Sequence, residues 1–213
     1  MKKMNEKINQ AFTYFDNGEL DKAEQIYREC LREVQDKKSQ EYRNILHGLG
    51  YVKSHNNDFD GARKIYMELI EIAQSSLNKK FEAIALHQLG MVERLAKNFN
   101  EALLLFQNEQ QMLEKYFPDF FVGMSANFYE QGMIFLNKKD YLNAEKFMKE
   151  SLHFAHLSQD MICLGCSYRG LGEIFKSKGE QMKAKSYFID SIEAFKKVNE
   201  TKAIDEVKGM MTK

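Results

Sequence analysis

The sequence predicts an all-α fold, a row of five helical hairpins followed by a short capping helix. Three observations carry this prediction: 44% of the 213 residues are apolar, only one residue is proline, and one pattern recurs five times. The apolar content suffices for a folded core, and the scarcity of chain breakers favours helices over the short, punctuated strands of an all-β fold. A pattern that fills the chain favours one repeat array over separate domains.

The repeat is marked by small residues at fixed spacing. Alanines recur at intervals of 39, 40, 42 and 40 residues, at Ala23, Ala62, Ala102, Ala144 and Ala184. A glycine stands twelve residues before four of them, at Gly50, Gly90, Gly132 and Gly172, and Ala11 takes this place in the first copy. A large side chain follows each alanine by four residues, at Tyr27, Tyr66, Phe106, Met148 and Phe188. These registers predict a single array over residues 1–213, with repeats at about 4–38, 39–79, 80–118, 119–159 and 160–199.

Each repeat is predicted to hold two antiparallel helices. The second helix carries apolar residues at steps of three and one, as in Ala62, Ile65, Tyr66 and Leu69, which is one face of a 3.6-residue period. The first helix has a similar stripe around its glycine. A glycine inside a helix costs about 1 kcal/mol relative to alanine, so we expect the two helices to cross there too closely for a side chain.

Turns and ends complete the predicted elements. Short polar turns containing Gly or Asn, which tolerate the left-handed conformation, are expected between the helices. Pro118 lies in the one 42-residue interval and suits a loop before the fourth repeat. Residues 201–212 offer Ile204, Val207 and Met211 as an apolar stripe, which predicts the capping helix. On the helix surfaces we expect ion pairs four residues apart, such as Glu24 with Arg28.

The repeated residues resemble the tetratricopeptide repeat. The resemblance is carried by Leu-x-x-Leu-Gly at 46–50 and 86–90, then the turn, the alanine and a large residue four positions later. The period of about forty residues exceeds the family's usual 34 and resembles the extended repeats of kinesin light chains and of Gram-positive peptide-pheromone receptors. The resemblance implies a right-handed α-solenoid whose first helices line a concave wall. Because the first repeat starts at the N-terminus, we expect the N-terminal effector domain of those receptors to be missing.

Charge and cysteine content narrow the functional classes. The 31 basic residues balance the 31 acidic ones, which argues against general binding to nucleic acid or to an anionic membrane. No stretch approaches the 18 apolar residues of a membrane span, and the first residues lack an apolar leader. Three cysteines are too few for a disulfide framework. We therefore expect a cytoplasmic protein whose partner is a protein or peptide.

A second stripe on each first helix is predicted to face the concave groove. It lies three residues before and one and four residues after the glycine, and the helix starts add two asparagines. The predicted protein- or peptide-binding residues are Asn5, Phe12, Asn44, His47, Tyr51, His87, Met91, Arg94, Tyr129, Met133, Arg169 and Glu173. Aromatic rings, methionines and amides suit an extended or helical peptide. The alternative is that this stripe only packs against neighbouring first helices.

A metal site and catalysis are the less favoured interpretations. His153, His156, Cys163 and Cys166 flank one predicted turn and are ligand types that zinc prefers, yet all four also fall at ordinary repeat positions. His47 and His87 could form a pH-sensitive pair between adjacent repeats, although groove-lining positions are the simpler explanation. The sequence has no glycine-rich phosphate loop, nucleophile elbow or His-Glu-x-x-His motif. We expect no catalytic residue, no metal and no cofactor.

The sequence thus favours a non-catalytic scaffold that binds a protein or peptide in its concave groove. Two alternatives stay open. One is a peptide-responsive regulatory module related to the pheromone receptors. The other is a self-associating structural protein, a homodimer formed through the uncapped first repeat, with Ile8 and Tyr14 at the contact.

Overall fold

A computed structural model describes the chain from residue 2 to residue 212. These residues form eleven α-helices and no strand. The helices are α1 (Lys2–Asp16), α2 (Leu20–Glu33), α3 (Gln40–His55), α4 (Phe59–Ser75), α5 (Lys79–Leu95), α6 (Phe99–Tyr116), α7 (Phe121–Asn137), α8 (Tyr141–Ser158), α9 (Met161–Ser177), α10 (Gln181–Lys197) and α11 (Thr201–Thr212). The predicted all-α fold of helical hairpins with a C-terminal helix is confirmed, and Pro118 lies in the loop between α6 and α7.

The turns depend on residues in the left-handed conformation. Gly18, Asn57 and Gly179 have φ values of 78°, 59° and 81°, as expected for Gly and Asn in turns between paired helices. Lysines take this place in the other two hairpins, Lys97 with φ 63° and Lys139 with φ 59°. In the Lys97-Asn98 turn the expectation that Gly or Asn takes the left-handed conformation is wrong, because Lys97 takes it instead. The next helix begins two residues after each of these positions, so the turn geometry is shared although the residue type is not.

The chain divides into two compact units, residues 1–109 and 110–213. In unit 1, α1 to α4 pack consecutively, α5 packs on α4, and the first helices α1 and α3 also touch. In unit 2, α7 to α11 pack consecutively, and the first helices α7 and α9 touch. The marker alanines are buried within these packed pairs: Ala23, Ala62, Ala102, Ala144 and Ala184 are each at most 2% exposed.

The repeat glycines make room for a ring on the partner helix. A Cβ atom added to Gly50 would lie 2.6 Å from the Tyr66 ring, and one added to Gly90 would lie 2.8 Å from the Phe106 ring. Backbone comes close only at Gly132, where the Cβ would lie 3.3 Å from the Met148 nitrogen. The predicted close approach is therefore present, but in most hairpins its cause is the large side chain rather than a backbone crossing.

The two ends of the chain differ from expectation in detail. In α11, Ile204 and Val207 are buried as predicted, whereas Met211 is 36% exposed and Met210 packs on the core instead. In α1, Ile8 and Tyr14 are half-buried and pack against the core cluster of unit 1. Of the helices described, none is long and apolar enough to cross a membrane.

Candidate functional site

The predicted groove residues fall on the first helices of both units. The unit 1 wall is defined by those on α1, α3 and α5: Asn5, Phe12, Asn44, His47, Tyr51, His87, Met91 and Arg94. The unit 2 wall is defined by those on α7 and α9: Tyr129, Met133, Arg169 and Glu173. Because α1 touches α3 and α7 touches α9, neighbouring helices bring members of each wall together.

The unit 1 wall contains a continuous strip of aromatic rings. The Phe12 ring centroid lies 6.3 Å from that of Phe15, which lies 5.9 Å from the Tyr51 ring on the next first helix. The Tyr51 ring is in turn 4.9 Å from the edge-on imidazole of His47. His55, which the sequence stripe missed, packs edge-on against Phe15 at 4.9 Å. Its position one residue beyond the predicted stripe is the signal that could have identified it.

Part of this strip is open to solvent. Phe12 is 58% exposed, and Phe15 and Tyr51 are half-buried. The amides of Asn5 and Asn44 are exposed on the same two helices, and Asn44 Oδ1 accepts a hydrogen bond from Gln40. An exposed aromatic side chain keeps most of its apolar surface in water, so a partner that covers it gains binding free energy.

His47 contributes a neutral ring to this wall. Burial lowers the pKa of its imidazole below the usual 6.5. Its Nε2 atom is buried and has no hydrogen-bond partner among the described residues, while the Tyr66 hydroxyl donates to its backbone oxygen at 3.3 Å. At neutral pH this nitrogen is therefore an unused polar group beside the aromatic strip.

His87 is held differently. Its Nδ1 lies 2.9 Å from Glu109 Oε2, and that carboxylate is only 3% exposed. Its ring also packs at 5.4 Å against Phe106. These contacts tie α5 to α6, so the two histidines of the proposed pH-sensitive pair have different neighbours. Met91 and Arg94 are half-buried further along α5.

The unit 2 wall is polar where the unit 1 wall is aromatic. The Arg169 guanidinium donates through Nη2 to the Tyr129 hydroxyl at 3.0 Å, and Glu173 lies 4.0 Å from its Nε. Burial raises the pKa of Tyr129 above its usual range, so the phenol stays neutral and acts as an acceptor. Arg169 Nε is buried without a hydrogen-bond partner in the described part of the chain. Met133 lies half-buried on the same helix as Tyr129.

Helix α11 contacts α9, the first helix of the last hairpin. The sequence did not predict this contact. Glu206 Oε2 lies 3.3 Å from Arg169 Nη1. One turn further along, Lys176 Nζ donates to the backbone oxygen of Met210 at 2.5 Å. The sequence marked α11 only by its apolar stripe, and no spacing rule connects Glu206 to an arginine 37 residues earlier.

A ladder of stacked rings supports the hairpins of unit 2. Phe128 stacks on Phe154 at 5.5 Å, and Phe135 stacks on Phe147 at 5.1 Å, each pair joining α7 to α8. In the next hairpin the corresponding contact is made by Phe175 and Tyr187 at 5.4 Å. The ladder residues recur at seven-residue spacing, at 121, 128 and 135 and at 147 and 154, a signal present in the sequence.

The four residues of the zinc alternative are not assembled into a site. His156 Nε2 pairs with the Tyr168 hydroxyl at 3.3 Å, and His153 packs on the neighbouring Phe154. Burial raises the pKa of Cys163 to about 12 and also raises that of Cys166, which keeps both thiols protonated. Over residues 2–212, no three His, Cys, Asp or Glu side chains are grouped to hold a metal ion.

Comparison with known families gives one sequence match. Residues 4–75 and 41–115 match the model of the tetratricopeptide repeat. Together the two matches cover residues 4–115, which is more than half of the chain. The chain has no significant match among curated protein sequences.

Several solved structures share the fold. The apo form of RapI aligns over 100% of this chain and 82% of its own, with 13% identity and a TM-score of 0.71. TPR-like repeats assigned to a kinesin light chain of Podosopora anserina align over 92% and 96%, with 12% identity and a TM-score of 0.65. Aspartyl phosphate phosphatase F from Bacillus subtilis aligns over 99% of this chain but only 59% of its own, with 10% identity and a TM-score of 0.67. At these identities the likeness concerns the fold alone.

Proposed function

The chain belongs to the tetratricopeptide repeat family, and from this premise we propose that it is a non-catalytic scaffold that binds a protein or peptide on its first helices. The observation that carries the proposal is the aromatic strip of the unit 1 wall, where Phe12 is 58% exposed beside half-buried Phe15 and Tyr51. Rings that are both ordered by their neighbours and open to solvent are typical of peptide-binding surfaces.

The polar groups around the strip suit a peptide backbone. The exposed amides of Asn5 and Asn44 can each donate and accept hydrogen bonds. We infer that the unit 1 wall binds a segment with an apolar or aromatic side chain over Phe12 and Tyr51, while the amides pair with the segment's main chain.

The alternative is that the stripe on the first helices only packs against neighbouring helices. This describes some residues of the stripe better than others. His87 is engaged by the buried Glu109, and Tyr129 is engaged by Arg169, so substitutions there disturb contacts between helices. Phe12 is mostly exposed and its replacement leaves the core intact. Phe12 is therefore the more informative position for a test of binding.

The test is selection of peptides from a displayed random library on the immobilised protein, followed by affinity measurement of the selected peptides. We expect Phe12→Ala and Tyr51→Ala to weaken binding at least tenfold, while the melting temperature of the Phe12→Ala variant stays within about 2 °C of wild type. Met67→Ala is the matched control, because Met67 is 54% exposed on the second helix α4. Equal binding by all variants, or no selected peptide, would contradict the proposal.

A peptide-responsive regulatory module is the second candidate, favoured by the fold shared with RapI and with aspartyl phosphate phosphatase F. In this case binding changes the packing of the hairpins rather than only covering the wall. The selected peptides discriminate the two candidates: regulation predicts slower hydrogen exchange in helices that do not touch the peptide, and a passive scaffold predicts slower exchange at the binding wall alone.

A further inference from the structure

Helix α11 packs against α10 and α9 at the end of unit 2. Its buried side chains are Ile204 and Val207, with Ala203 and Met210 half-buried against the same core cluster. Its polar contacts with α9 include the Glu206 carboxylate on Arg169 and the Met210 carbonyl on Lys176. The other α11 side chains that the structure describes are mostly exposed and polar.

Two features make α11 easy to release. It follows α10 after a three-residue turn in which Asn199 takes a left-handed conformation with φ 56°. Gly209 lies inside the helix, where glycine lowers helix stability by about 1 kcal/mol relative to alanine. Short terminal elements with a small buried area open at low free energy, before the core of a domain unfolds.

The α9 surface under α11 recognises a definite pattern. Tyr129 orients the Arg169 guanidinium by accepting from Nη2, which leaves Nη1 for the Glu206 carboxylate. Lys176 lies about two helical turns further along α9 and donates to a main-chain carbonyl near the end of α11. Cations near a helix C-terminus are favoured because its last carbonyls lack partners within the helix.

We propose that Arg169 and Lys176 on α9 form a docking site for a helical segment of a partner protein that carries a carboxylate at the place of Glu206, and that α11 is the resident segment which the partner displaces. The inference rests on the proposed function, because it names the chemistry of the partner at the unit 2 wall. Its occupant carries a carboxylate and, about one turn later, free carbonyls at the helix end. Apolar residues two positions before and one position after the carboxylate replace Ile204 and Val207.

The test uses a fluorescein-labelled peptide with the sequence of residues 200–212 as the probe and the full-length protein as the receptor. Glu206→Lys in the protein places a cation against Arg169 and releases α11. We expect the probe to bind this variant at least tenfold more tightly than wild type by fluorescence anisotropy, with faster hydrogen exchange in α11. Glu150→Lys is the matched control, because Glu150 is exposed on α8 and its replacement makes the same charge change.

A second variant keeps the inference falsifiable. Arg169→Gln added to Glu206→Lys should abolish the gain in probe affinity. A probe that carries lysine in place of Glu206 should bind the Glu206→Lys protein no more tightly than it binds the wild-type protein. Equal probe binding by wild type and Glu206→Lys, or binding that is indifferent to Arg169, would overturn the inference. Because library peptides on the unit 1 wall depend on Phe12 and not on Arg169, their continued binding would show that only this inference has failed.

Discussion

His47 shows how burial of one residue sets a property of the unit 1 wall. Burial lowers the pKa of its imidazole from 6.5, so the folded state holds a neutral ring between Tyr51 and Tyr66. The unfolded chain, in contrast, takes up a proton below about pH 6.5. The contribution of His47 to the free energy of unfolding is therefore fully present above this pH. It is lost as the pH drops below this value, because the unfolded state then binds more protons than the folded state.

We expect His47→Phe to remove this part of the pH dependence. Between pH 6.5 and 5.5 the free energy of unfolding should fall less in the variant than in wild type, by up to about 1 kcal/mol. Urea unfolding at pH 7.5, 6.5 and 5.5 measures the difference. His153→Gln is the control, because it removes an exposed imidazole on α8. Parallel curves for wild type and His47→Phe would show that His47 is not the titrating group.

At the scale of the helix pair, the repeat glycines are spaces for rings. Gly50→Ala would bring a methyl group to 2.6 Å from the Tyr66 ring, which is 1% exposed and cannot move outward. We expect a loss of about 2 kcal/mol in the free energy of unfolding, the usual cost of overpacking a core. Urea unfolding measures this loss.

The control is a helix glycine with space around it. Around a Cβ added to Gly209 in α11, no described atom lies within 4 Å, so Gly209→Ala should stabilise the helix by about 0.5–1 kcal/mol. The double variant Gly50→Ala with Tyr66→Leu should recover part of the loss, because the smaller side chain vacates the space. If Gly50→Ala and Gly209→Ala shift the free energy of unfolding in the same direction, ring packing is not the reason for the glycine.

Elements and their local contacts were predictable from the sequence, whereas contacts between hairpins were not. The expected ion pair of Glu24 with Arg28 is present at 2.7 Å, because both residues lie on one helix face. Lys53 on the next hairpin also reaches Glu24, at 3.2 Å. One hairpin later Arg63 and Glu93 make the equivalent pair at 2.5 Å with the charges exchanged. No local spacing rule joins residues about thirty positions apart, and exchanged charges hide the common register.

At the scale of the whole molecule, the lack of a spacing rule for contacts between hairpins also limits what the sequence predicts of the candidate site. The stripe on the first helices follows from helical periodicity, which is why the members of both walls could be named. The contacts of these side chains could not be predicted, because they depend on residues of neighbouring helices. Glu109 contacts His87, and Glu206 contacts Arg169. Periodicity therefore identifies which side chains share a face, and packing decides which of them are left for a partner.

Charge and exposure of the whole chain bear on self-association. The formal net charge is zero and the isoelectric point is about 7.0, so mutual repulsion between molecules is weakest near pH 7. Association through α1 would need exposed apolar side chains on this helix. Ile8 and Tyr14 pack on the core, and Phe12 is the large apolar side chain of α1 that is exposed. We therefore expect association of this chain to follow its net charge rather than an α1 contact.

Light scattering of two matched variants tests this expectation. Phe12→Asp removes the exposed ring of α1 and adds one charge, and Leu142→Asp makes the same change at a residue 81% exposed in unit 2. At pH 7 we expect both variants to lower any excess mass above 25.0 kDa to a similar extent, and a shift of wild type to pH 8.5 to do the same, because each change restores repulsion. A mass that only Phe12→Asp lowers would instead identify α1 as a specific interface between two copies of the chain.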